Sequence, residues 1–348
     1  LKLIGDRIMA KVAINGLGRI GRAVFKILLD TPELEVVAIN DIISADQLAY
    51  LLKYDTVYGK YSKTVENTEN SLIIAGKEYP VYQEKNPAQL PWGKENLDVD
   101  IVFECTGIFR RKDDLEKHLQ AGAKRVILSA PPKSEGIPTI VNGVNQISES
   151  DQIISCASCT TNCITPVVEV LGRRIGVKKA AMTTVHAYTA SQELVDQPNK
   201  KWRRGRAAAE NLVPTSTGAA QATTQVLTQF ENKFDGVAVR VPTPVGSLSD
   251  ITFVTEHSTS VEEVNNIFRE EADSEQYQGI LGVSDDELVS SDIIGDTRAS
   301  IVDLSMTQVI DEDLVKVMSW YDNEWGYASQ MVRQGVQMIK LIKELQTA

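Results

Sequence analysis

Lys11-Val-Ala-Ile-Asn-Gly-Leu-Gly-Arg-Ile-Gly-Arg22 decides the fold of the first half of this chain. Lys11–Asn15 reads as a short apolar strand, and Arg19–Leu29 carries Ile20, Val24, Ile27 and Leu28 at helical spacing. Between them, Gly16, Gly18 and Gly21 fit the G-x-G-x-x-G pattern of a dinucleotide-binding turn. Glycines permit the tight turn and close backbone approach, and the helix N-terminus receives a pyrophosphate. The next apolar run, Val36–Asn40, leads into Asp41, 20 residues after Gly21. A carboxylate there accepts from ribose hydroxyls and repels a 2′-phosphate, which favours NAD over NADP. The glycines alone also fit an ordinary strand-to-helix turn; the flanking strand, the helix and Asp41 tip the balance.

Outward from this stretch, strands and helices alternate. A helix is expected from about Asp46 to Lys53, and a hairpin from Ser71–Ile74 and Glu78–Tyr82 around Ala75-Gly76-Lys77. Strand Asp100–Cys105, helix Lys112–Gln120 and strands Arg125–Ser129 and Ile153–Cys156 follow. That alternation implies a parallel sheet with helices on both faces. The second half has long alternating runs instead: Lys178–Tyr188, Gly236–Val241, Leu248–Glu256, Ala299–Ser305 and Leu314–Tyr321. They suit a mostly antiparallel sheet with one covered face. Helices are expected over Ser260–Ala272 and about Glu324–Leu345. The expected fold is α/β: a Rossmann doubly wound parallel sheet plus an α+β catalytic domain with a mostly antiparallel sheet.

With 348 residues, the chain suggests about two domains at roughly 100–200 residues each. Hydrophobic residues make up 43% and charged residues 24%, which excludes disordered, collagenous and coiled-coil classes. The balance of 36 basic against 47 acidic residues gives a net charge of −11 and disfavours a primary nucleic-acid or membrane-surface role. No run approaches a membrane span of about 18 apolar residues. Residues 1–10 are read as a leader, with Met9 directly before the first patterned segment. Cys156, Cys159 and Cys163 are crowded together with only Cys105 elsewhere, which is no disulfide framework and points to a reducing, cytoplasmic compartment.

Ser158, Thr160 and Thr161 resemble a helix start before Val167, Val168, Val170 and Leu171, with Pro166 expected to kink the helix or displace its first turn. A thiol at a helix N-terminus beside an imidazole has a lowered pKa, which makes Cys159 and His186 a candidate pair. His186 lies 27 residues on, near the end of an apolar strand. Buried structural cysteines with a satisfied histidine fit the same residues. A redox C-x-x-C, a zinc site and a cysteine hydrolase fit less well, and no metal site is expected. Lys200-Lys-Trp-Arg-Arg-Gly-Arg206 is a basic run on an acidic chain. With Thr215-Ser-Thr-Gly218 close by, it reads as a phosphate clamp or as a solvated, salt-bridged face. Arg240 stands inside the apolar run Val239-Arg-Val-Pro242 and calls for an anionic partner.

Six segments together carry a resemblance. They are Asn15–Arg22, Ala157-Ser-Cys-Thr-Thr-Asn-Cys163, His186-Ala-Tyr-Thr189, Ser216–Ala220, Arg240-Val-Pro-Thr-Pro244 and Trp320-Tyr-Asp-Asn-Glu-Trp-Gly-Tyr327. In this order the chain resembles the phosphorylating, NAD-dependent glyceraldehyde-3-phosphate dehydrogenases from about Lys11 to Ile342. The resemblance implies oxidation of D-glyceraldehyde 3-phosphate to 1,3-bisphosphoglycerate with NAD and inorganic phosphate in central carbohydrate metabolism. It makes Cys159 the nucleophile and His186 its base. Thr189, Arg240 and, by counting back from Thr217, Arg204 would hold the substrate's C3 phosphate. Ser158, Thr160, Thr217 and Gly218 would receive inorganic phosphate. Asn15, Gly16, Gly18, Arg19, Ile20, Gly21, Asp41, Thr106 and Ser129 would line the NAD site, with Asn323 and Tyr327 at its nicotinamide end. Pro198–Asn211 resembles a loop that reaches a neighbouring subunit, which implies a homotetramer. The motifs set domains at 11–158, 159–322 and 323–348, the last helix returning to the NAD-binding domain.

Two positions depart from the family pattern. Cys156 stands where Asn is usual, and could pair with Cys159 or Cys163. Gln197 precedes Pro198 where Leu or Gly is usual in NAD-specific members. Erythrose-4-phosphate dehydrogenase is the alternative, with the same chemistry on a longer sugar. A nucleotide- or RNA-binding role without catalysis is a third reading, opposed by the intact Cys159–His186 pair.

Overall fold

The computed structural model describes the backbone of residues 2–4 and 7–347, and the side chains of 9–341. Contacts divide it into two units. The first comprises residues 1–140, 147–157 and 328–348, the second residues 141–146 and 158–327.

In the first unit, a nine-stranded sheet is built outward from the strand Arg7–Asn15. It pairs in parallel with Leu34–Asn40 on one side and Ile101–Glu104 on the other. Arg125–Leu128 and Ile153–Ser155 continue the parallel order beyond Ile101–Glu104. Beyond Leu34–Asn40, Lys77–Tyr82 is parallel; Ser71–Ile74 is antiparallel to it, and Val65–Asn67 antiparallel to Ser71–Ile74. The expected hairpin turns at Ala75 and Gly76, both with positive φ. Its first residue is the surprise, since a side chain at φ 49° is uncommon. Strands Arg7–Asn15 and Ile101–Glu104 are buried through their centres because helices cover both faces of the sheet. Lys2–Ile4 pairs antiparallel with Arg7–Met9, so this part of the expected leader has a place in the sheet. Leu1, Gly5 and Asp6 lie outside the described residues.

In the second unit, seven strands form a mixed sheet in which four of six pairings are antiparallel. Ser247–Thr255 alternates strictly between buried and half-buried, which is the signature of one covered face. Helices Cys159–Arg174 and Val261–Ala272 supply that cover. Val167, Val168, Leu171, Ile251, Phe253, Val264 and Phe268 share one core. Cys159–Arg174 runs unbroken through Pro166, and its first turn is capped by Ser158, contrary to the expected displaced turn. Just after the cap, the Thr165 hydroxyl donates to the Thr161 carbonyl at 2.7 Å.

The unit boundary falls before Ser158 and not after it, because Ser158 caps the helix that Cys159 opens. Likewise 323–327 lie with the second unit. Residues 141–146 join it because Gly143 packs on Tyr277 and its carbonyl accepts from Gln276.

Candidate active site

Three local devices bring Cys159 and His186 together. First, Ala157 adopts a left-handed φ of 57°, turning the chain abruptly out of strand Ile153–Ser155. Second, the Ser158 hydroxyl accepts from Thr161 N–H at 3.1 Å, which sets Cys159 at the first helical position. Third, strand Val177–Ala187 carries His186 to its end. Cys159 Sγ then lies 3.4 Å from His186 Nε2.

Sheet register adds the cation. Phe234–Val241 pairs in parallel with Val177–Ala187, and Arg240 is directly opposite His186. Arg240 Nη1 is 2.9 Å from His186 Nδ1 and donates to the Ala187 carbonyl at 2.9 Å. Nδ1 also lies 2.7 Å from that carbonyl. Nδ1 thus faces both a donor, Arg240 Nη1, and an acceptor, Ala187 O; with its proton given to Ala187 O, Nε2 is left as an acceptor facing the thiol. Burial and the Arg240 charge push the imidazole down to about 3, against the charged form. Burial likewise pushes the Cys159 thiol up, although Arg240 and the N–H groups of the first helical turn pull the other way. Both shifts favour the uncharged forms, a thiol beside a neutral imidazole. The expected lowering of the thiol is overridden by desolvation.

Tyr321 is a part that sequence reasoning missed. Its buried hydroxyl bridges Thr160 Oγ1 at 2.9 Å and Thr184 Oγ1 at 2.8 Å, tying the catalytic helix to the strand of His186. Its ring meets the imidazole edge-on at 5.9 Å. The only signal was its place in the polar, aromatic segment before the last helix.

The other expected anion ligands divide in two. Arg204 Nε donates to Thr215 Oγ1 at 3.1 Å and Nη1 to Ser191 Oγ at 3.1 Å; Ser191 in turn bonds Thr189 at 2.9 Å. Lys201 reaches Ser216 at 3.0 Å. Burial and mutual repulsion depress Lys201 and Arg204, and burial depresses Arg240. Among the described residues no carboxylate pairs with any of the three, and Arg240 Nε is buried without a partner. Thr160 and Ser158, by contrast, already use their hydroxyls on Tyr321 and Thr161. Thr217 and Gly218 start helix Ala219–Val226, where Thr217 Oγ1 accepts from Ala219 N–H. They share no hydrogen bond with the Cys159–His186 pair.

The first unit gathers the residues expected at NAD. Gly16 has φ +91°, and an added Cβ would meet Thr106 N at 2.7 Å. Gly18 caps helix Arg19–Leu28 with open space around it, and that helix has no acidic residue in its first turn. A pyrophosphate fits this arrangement. Gly21 abuts the Gly16 carbonyl. Asp41 accepts from Leu17 N–H at 2.6 Å and Ile43 N–H at 3.0 Å, so its carboxylate is fixed where a ribose is expected. Arg19 pairs with Asp55 at 2.5 Å, and Ile20 is half-buried. Thr106 bonds to Glu104, and Ser129 N–H donates to the Glu104 carbonyl. The Asn15 side chain is buried among Asn40 and Glu104, so it orders the turn from within. Asn323 and Tyr327 fall in the second unit. Gly246 N–H and Ser247 Oγ hold Asn323 Oδ1, which leaves its Nδ2 as a donor.

Residues 10–112 match the family model described as glyceraldehyde 3-phosphate dehydrogenase, NAD binding domain, and residues 158–323 match its C-terminal domain. The chain belongs to the glyceraldehyde-3-phosphate dehydrogenase family. It is similar to the glyceraldehyde-3-phosphate dehydrogenase of Thermotoga maritima, 52% identical over 328 residues that cover 93% of this chain and 97% of the relative. The Streptomyces coelicolor enzyme of that name is 48% identical over 92% of this chain and 96% of its own. Glyceraldehyde-3-phosphate dehydrogenase 1 of Bacillus subtilis is 49% identical over the same shares.

The family's usual Asn near the nucleophile is Cys156 here. Its thiol is buried and donates to Gln334 Oε1 at 2.6 Å, and no disulfide joins it to Cys159 or Cys163. Gln197 donates to Glu193 at 2.6 Å. Among the described residues no group of side chains could hold a metal ion, and no helix is long and apolar enough to cross a membrane.

Proposed function

We propose that this chain oxidises D-glyceraldehyde 3-phosphate to 1,3-bisphosphoglycerate with NAD and inorganic phosphate. One observation carries the mechanism: a thiol at a helix N-terminus, 3.4 Å from an acceptor imidazole nitrogen, beside the half-buried guanidinium groups of Arg204 and Arg240, which have no carboxylate partner among the described residues. Cys159 attacks the aldehyde carbon as His186 Nε2 takes the thiol proton, giving a hemithioacetal. The N–H groups of the first helical turn and the Nε2–H of His186 stabilise the developing oxyanion, and Nε2 then gives its proton to that oxygen, which becomes the hemithioacetal hydroxyl. NAD supplies the acceptor for the hydride that leaves the hemithioacetal carbon. His186 takes the hydroxyl proton in that step, leaving a thioester on Cys159. Inorganic phosphate then attacks the thioester carbon, the acyl phosphate departs, and the Cys159 sulfur is reprotonated.

Arg240, Arg204 and Thr189 hold the C3 phosphate in this reading. Ser158, Thr160, Thr217 and Gly218 serve inorganic phosphate chiefly through backbone N–H groups, since the Ser158 and Thr160 hydroxyls are engaged elsewhere. Asn323 Nδ2 donates to the nicotinamide carboxamide, and Tyr327 stands with it. Asp41 supports NAD over NADP. The relatives described above carry the glyceraldehyde name, so the erythrose reading is not favoured. A homotetramer is supported by the exposed apolar side chains Leu194, Val195, Trp202 and Leu212 in one segment, which a neighbouring subunit would cover. A cytoplasmic location is supported by the crowding of Cys156, Cys159 and Cys163, which is no disulfide framework.

Cys159→Ser tests the covalent step. It abolishes NADH formation while NAD binding persists; normal turnover in this variant ends the mechanism.

A further inference from the structure

Trp92, Glu104 and His118 are fully buried in the first unit and take no part in the chemistry above. Glu104 ends the otherwise apolar strand Ile101–Glu104, and four donors converge on its carboxylate. Oε1 accepts from Thr106 N–H at 2.8 Å and Thr106 Oγ1 at 2.5 Å. Oε2 accepts from Asn15 Nδ2 at 2.5 Å and His118 Nε2 at 3.0 Å. The indole N–H of Trp92 donates to His118 Nδ1 at 3.0 Å. An indole only donates, so Nδ1 is the acceptor and Nε2 bears the proton that Glu104 receives. On the other side, Asn40 Nδ2 donates to Asn15 Oδ1 at 2.7 Å, and Glu84 N–H donates to Asn40 Oδ1 at 2.9 Å. The donors from Trp92, His118, Asn15 and Thr106 all run toward Glu104, while Asn40 Nδ2 also donates to the Glu84 carbonyl at 2.9 Å.

What this array grips is the nucleotide turn. Gly16 directly follows Asn15, and its N–H donates to the Asn40 carbonyl at 2.7 Å. Thr106, held through both its N–H and its hydroxyl, lies against Gly16 so closely that a Cβ there would strike it. We propose that Glu104, oriented by His118 and Trp92, is a positioning residue for NAD: it sets the spacing between the Gly16 turn and Thr106 without touching the cofactor. A buried carboxylate is costly unless its donors are all present, so losing one donor loosens the whole array. The proposal rests on the assignment of NAD to this turn.

The test compares wild type, Glu104→Gln and Trp92→Phe. NAD and ADP-ribose dissociation constants are measured by calorimetry, alongside kcat at saturating NAD, melting temperature and Cys159 alkylation by iodoacetamide without cofactor. Glu104→Gln puts a donor where acceptors are needed, and is expected to weaken both ligands about tenfold, the scale of one lost charge-assisted hydrogen bond. Trp92→Phe removes only the distal donor, and about a threefold weakening is expected on the same reasoning. In both, kcat and Cys159 alkylation stay within about twofold of wild type, the split a positioning role requires. A lower melting temperature with unchanged NAD affinity overturns the proposal, as does a fall in kcat with affinity intact. If Glu104→Gln does not fold, unchanged affinity in Trp92→Phe suffices to overturn it. Failure of wild type to bind NAD overturns the cofactor assignment instead.

Discussion

Two basic clusters in the second unit have opposite surroundings. Arg173 and Arg174 end the catalytic helix and meet carboxylates at every turn. Arg173 bonds Glu169 and Glu271, each at 2.8 Å, and Arg174 bonds Glu270 at 2.6 Å and Glu271 at 2.7 Å. Hydrogen bonds to those carboxylates push both guanidinium groups upward, Glu271 foremost for Arg173 and Glu270 for Arg174. Lys201, Arg204 and Arg240 meet hydroxyls, a carbonyl and the His186 ring but no carboxylate among the described residues, and are pushed downward by burial, with mutual repulsion adding to it for Lys201 and Arg204. The same residue types thus do different work. A cation whose charge is balanced inside the protein holds the fold together; one left unbalanced and desolvated is set for an anion from solution.

Removing charge from each cluster separates these roles. Arg240→Ala has the largest expected effect, lowering kcat/KM for the phosphorylated aldehyde by about a hundredfold or more, because a buried donor beside the reacting pair is lost. Steady-state kinetics with NAD saturating reads this out. Arg204→Ala removes a more peripheral donor, and its KM for the aldehyde rises about tenfold, the equivalent of one charge-assisted hydrogen bond. Neither variant loses melting temperature, since each relieves burial of an unpaired charge. Glu271→Gln does the reverse: kcat/KM stays at the wild-type value while the melting temperature falls by about 2–4 °C.

The last effect carries a pH signature. Burial pushes the Glu271 carboxyl up, but hydrogen bonds from Arg173 and Arg174 outweigh it and hold the group below its usual value of 4.5. Its folded pKa is therefore depressed. The stability it contributes is present above about pH 4.5 and is lost as pH falls through the lower, folded value. The melting difference between wild type and Glu271→Gln is full at neutral pH and closes in acid. A difference that persists unchanged in acid would show that the pairing is not ionic.

Where the sequence is periodic, the fold is legible in it. Helix Lys112–Gln120 and strand Leu314–Tyr321 have the bounds that their patterning implies. Helix Ala219–Val226 was not legible, because Ala, Gln and Thr give it no apolar stripe; strand Val213–Ser216 carries a proline that argues against a strand. At the site, Cys159 and His186 could be paired by motif, but the Arg240 contact depends on strand register, and register is set by non-local pairing. Tyr321 meets Thr160 and Thr184, and Glu104 meets Asn15, through hydrogen bonds between residues far apart in the chain, which no local spacing reports. Glu104 did leave the same trace as Arg240, a charge in an apolar strand, and that trace marks a partner to be sought.

The contrast between the two clusters is tested most directly by thermal titration with inorganic phosphate. Wild type, Arg240→Gln and Arg173→Gln are compared at one ionic strength, so that bulk screening is held constant. A saturable rise in melting temperature is expected in wild type and Arg173→Gln, and a clearly smaller one in Arg240→Gln, which keeps only the anion site of Ser158, Thr160, Thr217 and Gly218. An equal rise in all three would contradict the account, placing the anion away from Arg240.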